Sequence, residues 1–175
     1  MARSTMADLI ARVRQMIGDM DAAAYVFDDD AVQAALDAHR FHAEYAALQP
    51  AAEYSAGGAA KYTAYRSVAA PWESDAVLVD GSFNPLTPDS ADWMNGEWTF
   101  GAGQAPPVLI QGKYYDLYAA AADLLEEWAA RLAREYDFGT DGDSFKRSQM
   151  AEGLRGQAER YRARAWARVD EVIAN

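Results

Sequence analysis

The chain has 175 residues, 51% hydrophobic and 25% charged, with no cysteine and a formal net charge of −11. That is the composition of an ordinary folded domain with a sizeable core, not of a disordered tract. It excludes disulfides, thiol catalysis and cysteine-held zinc, and it argues against binding of DNA by the whole surface, which takes clustered Lys and Arg.

The opening MARSTMADLIARVRQM has no long apolar run, and no stretch approaches the roughly eighteen apolar residues of a spanning helix, so neither a signal peptide nor a membrane span is expected. The first element reads as a helix. Thr5-Met6-Ala7-Asp8 resembles a capping box, Met6, Leu9, Ile10, Val13, Met16 and Ile17 recur at helical spacing, and Gly18 supplies a stop. A second short helix follows FDDD, where Asp28 or Asp30 can cap backbone N–H groups, and Val32, Leu36 and His39 mark one face.

Between Phe41 and Gln111 the helical period disappears. KYTAYRSVA, DAVLVDG, GEWTF and PPVLIQG read as short strands, punctuated by Gly57-Gly58, Pro71, Asn84-Pro85 and Pro106-Pro107. In WMNGEW, Asn95-Gly96 fits a type I′ hairpin turn flanked by Trp93 and Trp98. Helix returns in YYDLYAAAADLLEEWAARLAREYDF, with Leu117, Ala121, Leu124, Leu125, Trp128 and Leu132 on one stripe and Gly139 as its end. A last helix, starting between Ser144 and Ser148 and running to the C-terminus, places Met150, Leu154, Ala158, Tyr161, Ala165 and Val172 inward. The expected fold is therefore mainly α: a helical bundle built from an N-terminal helix pair (1–40) and a long helical hairpin (112–175), with a β-rich insertion (41–111) between the second and third helices.

The chemistry-bearing residues are few. DFGTDGDSFKRSQ lacks the ligand spacing of a calcium loop and the pattern of a phosphate loop; Gly139 and Gly142 with Asp143 or Ser144 as a cap make a helix–helix connection. His39 and His42 could share one metal with Glu44, but two histidines without a third placed ligand read as structural. No nucleophile elbow, HExxH or dinucleotide motif is present. The reading is no enzyme, no cofactor and no metal. The aromatics of the insertion (Tyr62, Tyr65, Trp72, Trp93, Trp98, Phe100) read as the core of a small sheet, with a stacking platform for a ligand as the alternative.

Charge is unevenly spread. Residues 146–168 hold seven basic against two acidic residues, a local +5, and the remainder carries −16. Such polarity suits head-to-side packing of copies or docking on an acidic partner; the alternative is a solvated arginine-rich helix face. On this last helix Leu154, Tyr161, Ala165 and Val172 stay within roughly 20° of one line at about 100° per residue. Trp166 points about 120° from that line, with Arg155 and Arg162 on its side. Arg155, Arg162 and Trp166 are thus the candidate assembly interface; the alternative is that Trp166 packs under the insertion of its own chain.

The order of parts resembles the head–tail connector (adaptor, or head-completion) proteins of tailed bacteriophages. The resemblance runs through MADLIARVRQMIGD and FDDDAVQAALDAHR, a β-rich middle with LTPDSADWMNGEWTF, then GKYYDLYAAAADLLEEWAARLAREYDF, DGDSFKRSQ and MAEGLRGQAERYRARA. It implies a non-enzymatic virion part: a homo-oligomeric ring, usually a dodecamer, at the neck between the portal protein and the tail or stopper protein, assembled in the host cytoplasm. Double-stranded DNA passes through its channel without specific binding. A helical bundle builds the ring in that family. The rival from another class is a soluble binding module whose aromatic sheet recognises a glycan or peptide; a hydrolase using Asp28–Asp30 and His39 ranks below both.

Overall fold

The computed structural model describes residues 1–54, 58, 60–134, 138–140, 143–145 and 147–166. Helix α1 (Ala7–Ile17) starts from one 3₁₀ turn over Ser4–Met6 and stops at Gly18, whose φ of 79° is the left-handed cap that glycine adopts without a Cβ clash. The capping box does not form. Thr5 donates its hydroxyl to Glu73 Oε1 at 2.6 Å instead, so a tertiary partner takes the group that a local motif would use. Buried Arg14 then closes the following loop: it donates to Asp19, Asp29 and the carbonyl of Phe27, while Asp19 accepts from the backbone N–H groups of Val26 and Phe27. Helix α2 (Asp29–Ala38) begins at Asp28, which accepts from Ala31 N at 2.7 Å, the expected cap.

Eight strands follow: β1 (Arg40–Ala47), β2 (Gln49–Tyr54), β3 (Ala60–Arg66), β4 (Val77–Val79), β5 (Pro85–Leu86), β6 (Ser90–Asp92), β7 (Glu97–Thr99) and β8 (Leu109–Tyr115). They form two antiparallel sheets, ordered β1-β8-β4-β5 and β2-β3-β7-β6. Buried Leu48 is the single residue between β1 and β2, where the chain crosses from one sheet to the other. Leu78 and Ile110 from the first sheet meet Tyr65 and Trp98 from the second, with Trp72, Phe100 and Val108 closing the layer, so the two sheets make a sandwich with its own core. The chain returns to helix as α3 (Leu117–Leu132), a small hairpin of β9 (Phe138–Thr140) and β10 (Asp143–Phe145), and α4 (Arg147–Arg162).

The mainly α expectation is overturned. The described structure is 37% helix and 27% strand, with two four-stranded sheets, and is a mixed α/β fold. The helices hold one apolar cluster, in which Leu9, Val13 and Ile17 of α1 meet Val32 and Leu36 of α2, Leu124 and Leu125 of α3, and Ala158 of α4. The sheets hold the other. Strand alternation on β8 joins them: Tyr114 packs with the sandwich and Tyr115, its neighbour, is buried among the helices.

Three local expectations also change. The β6–β7 hairpin exists, but its loop is four residues, 93–96, between the pair Asp92↔Glu97. Gly96 alone has positive φ there, because Asp92 accepts from Asn95 N and Nδ2 and fixes the turn from its start, so it is not type I′. Between α3 and α4, Gly139, Asp143 and Ser144 are strand residues (Asp143↔Thr140, Ser144↔Gly139) and not a plain helix–helix turn; Gly142 lies outside the described residues. On α4 the inward stripe keeps Leu154, Ala158 and Tyr161, with Ala151 buried and Met150 47% exposed; Val172 lies outside the described residues. Alanine dominates both buried faces of the α3–α4 pair, with Ala119–Ala122 and Ala129 opposite Ala151 and Ala158, which lets the two helices approach closely.

Gly153 sits on the exposed face of α4, and a Cβ built there meets nothing within 4 Å. Gly153→Ala therefore removes unfolded-state freedom without a clash, and is expected to stabilise the chain by about 0.5–1 kcal/mol. Thermal denaturation checks this; a lowered midpoint would show that the glycine backbone is not helical.

Candidate assembly interface

One buried carboxylate organises the meeting of the two cores. Glu73 lies in the loop before β4, its side chain 0% exposed. It accepts from Thr5 Oγ1 at 2.6 Å, from Arg3 Nε at 2.9 Å and from Tyr115 Oη at 2.5 Å, with Lys113 Nζ at 3.5 Å. Arg3 also grips Asp37 of α2 through both terminal nitrogens. Ser74 adds two bonds to the carbonyl of Thr5, one from its N–H and one from its hydroxyl. The N-terminal turn, α2, β8 and a sandwich loop are thereby tied at one point. Burial alone would raise the Glu73 carboxyl; the donors Thr5, Tyr115 and Arg3 outweigh it and hold it at about 2, from an ordinary 4.5. Burial and the bond to Glu73 together push the Tyr115 phenol up.

The sequence-predicted interface residues separate. Trp166 stacks on its own chain: its ring lies 5.4 Å from Phe41 of β1 and 5.6 Å from Tyr114 of β8, and its backbone N–H donates to Asp116 Oδ2 at 2.6 Å. It remains 39% exposed. Asp116 is also the cap of α3, accepting from Tyr118 and Ala119, so one side chain pins both the start of α3 and the chain just past α4. Arg162 reaches α3, donating to Glu126 at 2.7 and 2.9 Å and to Asp123 at 3.0 Å, and this bonding lowers the Glu126 carboxyl. Arg155 is exposed and takes no ion pair among the described residues.

The histidines do not converge. His39, just past α2, meets Asp123 of α3 at 2.6 Å, making Asp123 a bridge between His39 and Arg162; His42 is on β1 near Glu44, at 3.9 Å. Among the described residues no group of three or more His, Asp or Glu is arranged to hold a metal, and no helix is long and apolar enough to cross a membrane. Of the insertion's aromatics, Tyr65, Trp72, Trp98 and Phe100 are buried in the sandwich, and Tyr62 and Trp93 are half-buried against it. Four of the six are thus core residues. A hollow on the second sheet, about 300 Å³, is lined by Tyr65 and Trp98 together with Gln49, Pro50, Ala51, Ala64, Thr99 and the Arg66–Glu97 ion pair.

A pair of aromatics that sequence reasoning missed does stand on the surface. Tyr45, at the bulge of β1, and Phe83, in the β4–β5 turn, are 43% and 59% exposed and meet edge to face at 4.9 Å. Both have positive φ, 55° and 65°, and are the non-glycine residues of the described chain that do. Left-handed backbone costs a bulky residue roughly 1–2 kcal/mol, so the two together cost more than the about 0.5–1.5 kcal/mol that one edge-to-face pair returns. Val77, 47% exposed, lies on the strand before that turn. The only sequence signal was an aromatic inside the turn DGSFNP. Glu73, within PWESD, carried none, since its partners lie up to 70 residues away.

Comparison with protein-family models, with curated proteins and with solved structures finds no match.

Because the Glu73 carboxyl is lowered on folding, its contribution is complete above the unfolded value of 4.5 and disappears as pH falls through about 2. The shift corresponds to about 3 kcal/mol. Glu73→Gln should reduce the acid dependence of stability between those pH values, measurable as denaturant midpoints across the range; an unchanged slope would contradict the assignment. Trp166→Ala removes two ring contacts and should lower stability by about 1–3 kcal/mol, read by chemical denaturation. An unchanged midpoint would show that the tryptophan serves an intermolecular contact alone.

Proposed function

We propose that the chain is a structural, non-enzymatic virion protein that forms a homo-oligomeric ring at the neck of a tailed phage particle, between the portal and the tail or stopper protein. The order of its parts along the sequence supports this reading, through the resemblance already described. The observation that carries it in the folded chain is charge polarity: a formal −11 overall, against a last helix, α4, with four arginines and two glutamates. A strongly acidic chain whose last helix is net basic is complementary to itself, which favours repeated head-to-side contacts over an isolated monomer.

The same imbalance suits a DNA channel. Acidic walls repel the phosphate backbone, so duplex DNA passes without sticking, whereas a basic wall would hold it. In this reading the ring has no cofactor, and its partners are further copies, the portal, and the tail or stopper. In this reading the ring wall is not a helical bundle alone, since the sandwich holds the second of the two apolar clusters.

Negative-stain microscopy and mass photometry of the purified chain test the proposal. Closed rings with a central opening wide enough for duplex DNA, about 20–25 Å allowing for the grooves, are expected. A monomer at every concentration would contradict it.

A further inference from the structure

Two hollows of about 430 and 460 Å³ adjoin along α1 and share Arg12 and Met94 in their walls. Met16, Leu117 and Tyr118 complete the apolar lining of the first, and Met20, 62% exposed, stands over the second. Methionine side chains adapt to irregular apolar shapes, so such a groove suits an apolar segment of sequence. We propose that residues 167–175 of the same chain, ARVDEVIAN, seat in this methionine-lined groove. This goes beyond the ring reading and does not depend on it.

The point at which the described chain ends selects this occupant. The N–H of Trp166 donates to Asp116 Oδ2 at 2.6 Å, and the two residues after Asp116, Leu117 and Tyr118, line the first hollow. Arg164 lies over the Tyr118 ring, its Cζ 5.9 Å from the centroid. The segment therefore begins beside the groove. Seven residues lead from Trp166 to Ile173, a reach of about 25 Å extended or about 10 Å as helix. In sequence Val169, Val172 and Ile173 fall at i, i+3 and i+4, with Asp170 and Glu171 between them. With Arg168 the segment has a net charge of −1. The first hollow has no acidic lining residue, and Arg12 is exposed there, bonded to Gln15 and in no ion pair among the described residues. Asp8 lines the second hollow, and Asp92 is already held by the side-chain amide of Asn95. Carboxylates at 170 and 171 thus find their complement at Arg12, the residue common to both hollows. A tether this short also gives an effective concentration of about 1 mM, which another copy or a foreign peptide has to exceed.

The groove's own methionines report its occupancy. The full-length chain is treated with dilute hydrogen peroxide, and sulfoxide at each methionine is followed by mass spectrometry. An effective concentration of about 1 mM against a weak Kd of about 0.1 mM leaves the groove open about a tenth of the time. Met20 and Met94 should then oxidise about tenfold more slowly in the wild type than in the double variant Val172→Asp/Ile173→Asp. Met150, 47% exposed and lining neither hollow, should oxidise equally in both chains, which shows that the variant keeps its fold. Equal rates at Met20 and Met94 would overturn the proposal. Because the chain has no cysteine, Met94→Cys with Val172→Cys in one full-length chain then identifies the source of the segment. A disulfide within single chains, running as a monomer on a non-reducing gel, is expected. A cross-linked dimer would show that another copy supplies the segment, and either that result or the absence of any disulfide would overturn the assignment to the same chain.

Discussion

A carboxylate with no access to water needs donors, and Glu73 takes them from two separate parts of the chain. Thr5 and Arg3 come from the N-terminal turn, Tyr115 from the end of β8, and Arg3 carries the connection on to Asp37 of α2. Removing any one donor leaves a buried charge underpaired, a heavier loss than the mean worth of a hydrogen bond. The position of the sandwich against the helices is therefore set by a polar requirement, while the two apolar clusters on either side supply most of the burial.

That arrangement fixes what the surface presents. With β8 shared between the clusters through Tyr114 and Tyr115, the sheet cannot slide by one residue without exchanging which tyrosine each core receives. The far end of the same sheet then holds Tyr45 and Phe83 outward, and α4 is held by Arg162 on α3 and by Trp166 on β1 and β8. Trp166 fastens the last described residues to the sandwich, which holds α4 at a fixed orientation to the sheets.

Much of the helical layout was legible in the sequence, because amphipathic spacing and termination are local. Gly18 and Asp28 act where the pattern puts them, and the α3 stripe through Leu124 and Leu125 is buried. The misjudged balance between helix and strand has a physical source. Short strands whose aromatic side chains fill a shared core give weak periodic signals one at a time, and only pairing across the sheets shows that they form a second core. The hairpin of β9 and β10 was hidden in the same way by its glycines and aspartates. Long-range polar chemistry was not legible at all: Thr5 looked like a cap because its partner Glu73 is 68 residues away. The candidate site divides similarly, since Arg155 was placed on an open face by helical geometry, while the partners of Arg162 and Trp166, and the positive φ of Tyr45 and Phe83, depend on tertiary structure.

The central claim is that the polar seam at Glu73 makes the two cores one cooperative body. Differential scanning calorimetry at neutral pH measures this directly. The account predicts a single transition whose calorimetric and van't Hoff enthalpies agree. Two resolved transitions in the wild-type chain, one for the helices and one for the sandwich, would contradict it.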